Sequence, residues 1–150
     1  MSTTVAFEDL KSLAGGSLGT GRWLEVDQAR IDTFADATDD HQWIHVDPER
    51  AKDGPFGGPI AHGYLTLSLV IPLWTELLDV TGVTTKVNYG LNRVRFPAPV
   101  PAGSRVRLSG TLADVADIDG GVQVTADLVV EIENHGKPAC VLQAIFRFHP

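Results

Sequence analysis

One helical stretch, apolar on nearly every face, constrains the fold of this chain more than any other feature of its sequence. Its apolar side chains are Leu65, Leu67, Leu69, Val70, Ile71, Leu73, Trp74, Leu77 and Leu78. A helix that is apolar on all sides is buried within a protein, so other elements must cover it. Pro72 lacks the backbone N–H that a helix interior uses and predicts a kink or the last regular turn. The sequence therefore predicts one buried central helix.

After Thr81-Gly82 the apolar period changes from helical to two, which is typical of strands. Strands are predicted at residues 86–96, 106–112, 122–132 and 140–148. The connections at 119–121 and 134–137 contain Gly and Asn, which accept the positive φ of hairpin turns. Antiparallel strands that follow one buried helix predict an α+β fold in which a curled sheet wraps that helix.

Shorter elements are predicted ahead of the central helix. Residues 21–26 are expected to form a strand, and Asp27 is expected to cap a helix that begins at Gln28. A second helix begins with Asp47 as its cap and Pro48 at its first position. The Asp-Gly-Pro sequence at 53–55 must end that helix early.

Length and charge narrow the class of protein. The 150 residues contain no repeat or linker, so residues 1–150 are expected to form one domain. The formal charge of −7 argues against binding to nucleic acid or to an anionic membrane surface. Residues 60–74 are too short an apolar run for a bilayer span, which needs about 20 residues. No signal peptide is visible at the start, so a cytoplasmic location is expected.

The most polar and histidine-rich segment, Asp39–Pro48, is the first candidate for chemistry. Asp40 and His45 are five positions apart, a spacing that does not share a helix face, so they meet only across a turn or loop. A carboxylate and an imidazole over one pocket orient and deprotonate a water molecule. The alternative is that Asp40 caps the following turn and His45 packs in the core.

Two other kinds of site are disfavoured. The rival metal site would use Asp40, His41, His45 and His62. Because no HExxH motif or cysteine pair accompanies these residues, no metal is expected, nor any other cofactor. Nucleophilic catalysis lacks a GxSxG motif, and the lone Cys140 lies in a strand pattern and excludes an internal disulfide.

Gly63 lies where the central helix begins. The free N–H groups and positive dipole at a helix N-terminus favour a developing negative charge, and glycine permits close approach to the backbone. This position therefore predicts an oxyanion-binding group. The alternative is that Gly57, Gly58 and Gly63 only shape a turn.

Three motifs together resemble one family. They are FADATDDHQWIHVDP at 34–48, GPIAHG at 58–63 and FPAPVPAG at 96–103. In order and spacing they resemble the MaoC-like, hydratase-2 family of (R)-specific enoyl-CoA hydratases, also called 3-hydroxyacyl-thioester dehydratases. The resemblance implies a hot-dog fold, an antiparallel sheet wrapped around a long central helix, and commonly a homodimer.

The resemblance also implies roles for individual residues. Asp40 and His45 match the family's catalytic pair, and Gly63 matches the glycine whose N–H polarises the thioester carbonyl. The implied reaction is syn addition of water to a trans-2-enoyl thioester of coenzyme A or an acyl-carrier protein, in fatty-acid metabolism. The positions expected to bind substrate are Gln42, Ile60, Ala61, His62, Tyr89 and Gly90.

The chain departs from the family pattern at two positions. Gln42-Trp43 replaces the usual Asn-Pro, which predicts a reshaped loop and a changed acyl preference. Ile71 stands where many relatives have serine. Further candidates for the acyl tunnel are Trp43, Phe56, Tyr64 and Leu67, and candidates for contact with coenzyme A phosphates are Arg50, Lys52, Arg93 and Arg95; core packing and solvated surface are their alternative roles.

Two other functions stay open at this stage. A thioesterase on the same fold would hydrolyse acyl-CoA, because a fold alone does not determine chemistry. A non-catalytic acyl-thioester binding module would keep the tunnel and need neither Asp40 nor His45 for its activity.

Overall fold

The computed structural model describes residues 2–150. The helices are α1 Gln28–Thr38, α2 Trp43–Val46, α3 Pro48–Ala51 and α4 Gly63–Leu77, with a 3₁₀ helix at Phe7–Leu13. The strands are β1 Thr3–Ala6, β2 Ser17–Thr20, β3 Leu24–Val26, β4 Leu78–Thr81, β5 Thr85–Arg95, β6 Ser104–Ile118, β7 Gly121–Ile132 and β8 Cys140–His149. The strands at 85–149 and the helix at 63–77 confirm the predicted order of elements.

A six-stranded sheet forms the larger layer, in the order β2–β6–β7–β8–β5, with β3 also paired to β6. All of these pairings are antiparallel. Along β7 and β8 buried and partly exposed residues alternate, because successive side chains of a strand point to opposite faces. The buried face packs on α4 in one continuous core, as the period-two pattern predicted.

The prediction that α4 is covered on every side is wrong for one face. Leu65, Leu69 and Leu73 are buried, but Tyr64 is 73% exposed and Ser68 is also exposed. The sheet curls around only one side of the helix, and an apolar groove of about 400 Å³ remains between α4, β5 and β8. The helix continues past Pro72, which lies on the exposed face. Among residues 2–150, no helix is long and apolar enough to cross a bilayer.

The predicted caps are confirmed at both shorter helices. The Asp27 side chain accepts from the Arg30 N–H, and the Asp47 side chain accepts from the Arg50 N–H. The strand predicted at 21–26 is shorter: β3 covers only Leu24–Val26, although the Gly21 N–H also donates to the Leu108 carbonyl on β6.

One strand pairing at the C-terminal end of α4 was not predicted. The first strand, β1, pairs in parallel with β4, in register from Thr3 opposite Leu78 to Ala6 opposite Thr81. The predicted helix included Leu78, which instead takes an extended backbone and begins β4 directly after α4.

Strand β5 lies at the edge of the sheet and is exposed along nearly its whole length. Within residues 2–150 it pairs only with β8, and a register shift leaves Tyr89 without a partner opposite it. Its exposed side chains include the apolar Val87, Tyr89 and Leu91. An unpaired edge with apolar side chains is a template for another strand.

We expect the single cysteine, Cys140, to be unreactive in the folded protein. It is fully buried, and burial raises the pKa of its thiol to about 11, so little reactive thiolate forms at pH 8. Ellman's reagent should therefore label one thiol per chain in denaturant and almost none in buffer, while Cys140→Ser gives no signal in either. Rapid stoichiometric labelling in buffer would contradict this burial.

Candidate active site

The turn after α1 determines the position of Asp40. Asp39 has φ 59°, in the left-handed region, which ends the helix and redirects the chain. Aspartate tolerates this conformation better than most residues because its short side chain bonds locally. Asp40 follows directly and its side chain is exposed. The chain between Asp40 and His45 contains the rest of this turn and the start of the single-turn helix α2, whereas the sequence predicted only a turn or loop there.

His45 lies on α2 and is 6% exposed. Its Nδ1 lies 2.7 Å from the Ile60 carbonyl oxygen, which can only accept, so Nδ1 carries the proton and Nε2 has a free lone pair. From α1, the Gln28 amide donates to the His45 carbonyl at 2.7 Å and holds α2 in place. Burial lowers the pKa of His45 below its ordinary 6.5, and nearby His62 lowers it further, against the raising effects of the Ile60 bond and Asp40. His45 is therefore neutral at pH 7.

His62 precedes α4 and is 2% exposed. Its ring stacks on that of His45, with 3.9 Å between centroids and 24° between planes. Its Nε2 donates to the backbone carbonyl of Asp40 at 2.9 Å, which leaves Nδ1 as the other ring nitrogen. Among residues 2–150, no hydrogen-bond partner reaches that buried Nδ1.

Gly63 begins α4 next to these rings. The Thr66 N–H is the first to bond back along the helix, to the His62 carbonyl at 3.1 Å, so the Gly63 N–H has no intrahelical acceptor. A Cβ at Gly63 would lie 3.3–3.4 Å from three ring atoms of Phe96. Glycine therefore permits Phe96 to pack against the start of the helix.

Two cavities meet at His45, Gly63 and Phe96. The polar cavity, of about 210 Å³, is lined by Asp40, His45, His62, Gly63, Tyr64 and Phe96. The apolar cavity, of about 260 Å³, is lined by these three shared residues and by Phe56, Ile60, Ala61, Thr66, Ala98, Pro99, Val100 and Ala139. A reacting group in the polar cavity can thus extend an apolar chain into its neighbour.

The histidines also bear on the rival metal site. His41 is separate from it, because its ring bonds to Asp36 at the surface at 2.9 Å. Asp40, His45 and His62 each place one ligand atom within 4.8 Å of the others. His45 Nδ1 and His62 Nε2 are already bonded to backbone carbonyls, so the other ring nitrogens and the Asp40 carboxylate are the groups left to act as ligands or to transfer protons. That the site holds no metal stays a prediction.

The structure brings together only some of the residues predicted to bind substrate. Ile60 and Ala61 line the apolar cavity and His62 lines the polar one. Gln42 is exposed and caps α2 through its backbone, outside both cavities. Tyr89 lies beneath the Arg147 guanidinium at 3.2 Å, and Gly90 lines the groove beside α4.

The candidates for the acyl tunnel and for contact with coenzyme A also lie in different parts of the structure. Phe56 lines the apolar cavity, Tyr64 the polar cavity and Leu67 the groove. Trp43 packs beneath Arg50, 4.2 Å from the guanidinium carbon to the ring centroid. Lys52 pairs with Glu49, while Arg93 and Arg95 lie on the edge strand β5.

Sequence reasoning missed three parts of the site. Phe96 belonged to a recognised motif, but nothing in its pattern indicated a contact with Gly63. Gln28 was seen only as the first residue of α1, and its bond to the His45 carbonyl has no sequence signal. Thr66, a polar residue in an apolar helix, was the one detectable signal; it is 4% exposed and lines the apolar cavity.

Two relatives match almost the full chain. The 3-hydroxyacyl-thioester dehydratase Z of Mycobacterium tuberculosis is 51% identical over 99% of this chain and 99% of its own length. Nodulation protein N of Rhizobium meliloti is 45% identical over 97% of this chain and 94% of its own length.

A solved structure shows the same fold. It is the (R)-hydratase from A. caviae involved in PHA biosynthesis, with a TM-score of 0.69 and 22% identity over 89% of this chain and 94% of that one. The predicted hot-dog fold is thereby confirmed. The model of the MaoC like domain matches residues 9–134. With its motifs, its fold and its relatives in agreement, this chain belongs to the MaoC-like domain family.

Proposed function

We propose that this protein adds water to trans-2-enoyl thioesters to give (R)-3-hydroxyacyl thioesters, and catalyses the reverse dehydration, as a hydro-lyase. The observation that carries the proposal is the meeting of Asp40, neutral His45 and the Gly63 N–H around one cavity. The names of the mycobacterial dehydratase and of the (R)-hydratase support this reaction class and stereochemistry.

We propose a task for each group. The Asp40 carboxylate and His45 Nε2 hold one water molecule, and together they accept a proton as the water oxygen bonds to C3. The thioester oxygen then carries negative charge as an enolate, which the Gly63 N–H and the helix dipole stabilise. The proton held by the pair is delivered to C2 on the same face, which restores both groups.

The two cavities suit the two parts of the substrate. We place the acyl chain in the apolar cavity and the enoyl thioester at Gly63, where the cavities meet. The carrier is coenzyme A or an acyl-carrier protein, for which Arg93 and Arg95 on β5 are the cationic candidates. We also propose a cytoplasmic location.

We also propose a homodimer, supported by the exposed β5 edge and the open apolar groove beside α4. Pairing of two β5 strands would continue the sheet across both chains and cover apolar side chains of each.

Crotonyl-CoA tests the reaction directly. We expect the enoyl absorbance to fall without release of free thiol, and chiral analysis to identify the (R) product. Thiol release would instead indicate a thioesterase. If neither crotonyl-CoA nor longer enoyl-CoAs react although they bind, the chain is a binding module.

Substitution of the acid–base pair tests the mechanism. Asp40→Asn and His45→Gln each remove proton transfer while keeping side-chain size, so kcat should fall by about 10²–10⁴-fold. Asp36→Asn and His41→Gln are matched controls, because they change the same two kinds of group, a carboxylate and an imidazole, in an exposed pair outside the cavities. Near-normal kcat in folded Asp40→Asn and His45→Gln would disprove the mechanism.

The pH dependence follows from neutral His45. Its neutral form is the active one and its pKa is lowered, so kcat/KM should stay level near pH 7 and decline only below pH 6.5. A pH–rate profile measures this limb. The exposed His41, whose pKa is raised by its bond to Asp36, is the control: His41→Gln should leave the limb in place. An acidic limb at or above pH 6.5 would contradict the assignment.

Light scattering after gel filtration tests the homodimer. The native protein should have twice the mass of one chain, and Leu91→Lys, at the exposed apolar edge, should give a folded monomer. Thr125→Lys is the matched control on the outward face of the central strand β7 and should stay dimeric. A monomeric native protein would contradict the proposal.

A further inference from the structure

His62 was predicted to bind substrate, but its surroundings leave little room for that role. Its ring is 2% exposed, with the His45 ring stacked on it and the Phe34 ring tilted against it at 4.9 Å between centroids. The only polar bond of its side chain within residues 2–150 goes to the protein backbone. Apart from Phe34, the contacts described for its ring are thus with the two residues proposed to transfer protons.

The bond from His62 Nε2 reaches the main chain of Asp40, which carries the carboxylate. This part of the chain is exposed, Asp39 adopts a left-handed φ of 59°, and the neighbouring His41 ring is bonded to Asp36 at the surface. A left-handed non-glycine residue persists only where its surroundings hold it. The 2.9 Å bond to the Asp40 carbonyl supplies such a hold beside the carboxylate.

The stack acts on the other member of the pair. Two imidazolium rings with centroids 3.9 Å apart repel each other, so a proton on one ring disfavours a proton on the other. Asp40 is the charged group that faces the two rings. Their neighbours from α1, Gln28 and Phe34, and their neighbour after β5, Phe96, are uncharged. The stack therefore favours neutral His45.

We propose that His62 is a positioning residue, which holds Asp40 through its Nε2–H and keeps His45 oriented and neutral through the ring stack. This inference rests on the proposed hydratase function for its kinetic consequences. It also explains an unpartnered buried nitrogen: an imidazole that must donate from Nε2 leaves its Nδ1 lone pair in the interior, at a cost in stability.

Two amide substitutions separate the hydrogen bond from the rest of the ring. Glutamine carries its amide nitrogen at the reach of Nε2, whereas asparagine carries it at the reach of Nδ1. His62→Gln should therefore keep kcat within about 10-fold, and His62→Asn should lose about 100-fold, with KM changed less than about twofold in both. A raised KM with unchanged kcat, or equal kcat in both variants, would overturn the proposal.

The titration of His45 provides a readout that needs no turnover. NMR of the imidazole signals should show a higher His45 pKa in His62→Gln and His62→Asn than in the native protein. The acidic limb of the rate profile should move up in pH with it. Leu73→Ala, a core substitution on the same helix outside both cavities, should leave His45 unchanged while lowering stability. An unchanged His45 pKa in both His62 variants would refute the role of the stack.

His62→Phe is a further variant for the case in which His62→Gln or His62→Asn does not fold. It keeps an aromatic ring on His45 and removes the unpartnered nitrogen, so the core is retained, but the Asp40 bond is lost. Its kcat should fall as in His62→Asn, and native kcat would contradict the proposal. If the native protein shows no hydration at all, the function fails, while the His45 titration still tests the stack.

Discussion

The site depends on how four residues of extended backbone, Pro59–His62, are held between two other parts of the chain. The Ile60 N–H donates to the Ile44 carbonyl on α2, and the Ala61 N–H donates to the Val100 carbonyl on the opposite side. The Ala102 N–H donates to Pro59 at 2.9 Å. This clamped segment supplies the carbonyl that orients His45 and leads directly into His62 and Gly63.

Burial then determines the chemistry of the groups that the clamp aligns. Each histidine donates one proton to a backbone carbonyl, and these acceptors select opposite tautomers in the two rings. In open solvent, imidazoles would exchange protons and rotate freely. Here the Ile60 and Asp40 carbonyls restrict the two rings to one orientation, and burial lowers the pKa of His45, so that His45 presents an acceptor nitrogen near the Asp40 carboxylate.

Much of the fold was predictable, because the spacing of apolar residues along the chain indicates which face of a helix or strand is buried. The apolar run from Leu65 predicted α4, alternation predicted β6 to β8, and Asp27 and Asp47 identified two helix starts. The open face of α4 was not predictable, since apolarity on every side does not say whether the same chain covers each side. The β1–β4 pair also carries no local signal, because it joins distant short segments.

The residues of the site were also predictable only in part. Asp40, His45 and Gly63 were predicted from residue chemistry and from resemblance to a family. The stack of His62 on His45, and the contact of Phe96 with Gly63, were not, because each joins side chains on separate elements whose approach depends on the clamp and on the packing of α4. The sequence indicated the groups proposed to react, but it did not indicate the neighbouring side chains that hold those groups in position.

The parallel pair of β1 and β4 has a consequence for the order in which the chain folds. Its two strands are separated in sequence by residues 7–77, so this pairing closes a long loop. The β6–β7–β8 meander joins strands that are neighbours in sequence, and it closes only short loops. Assembly should therefore run from the meander to the helix and end with β1, so that the far end of α4 is secured last.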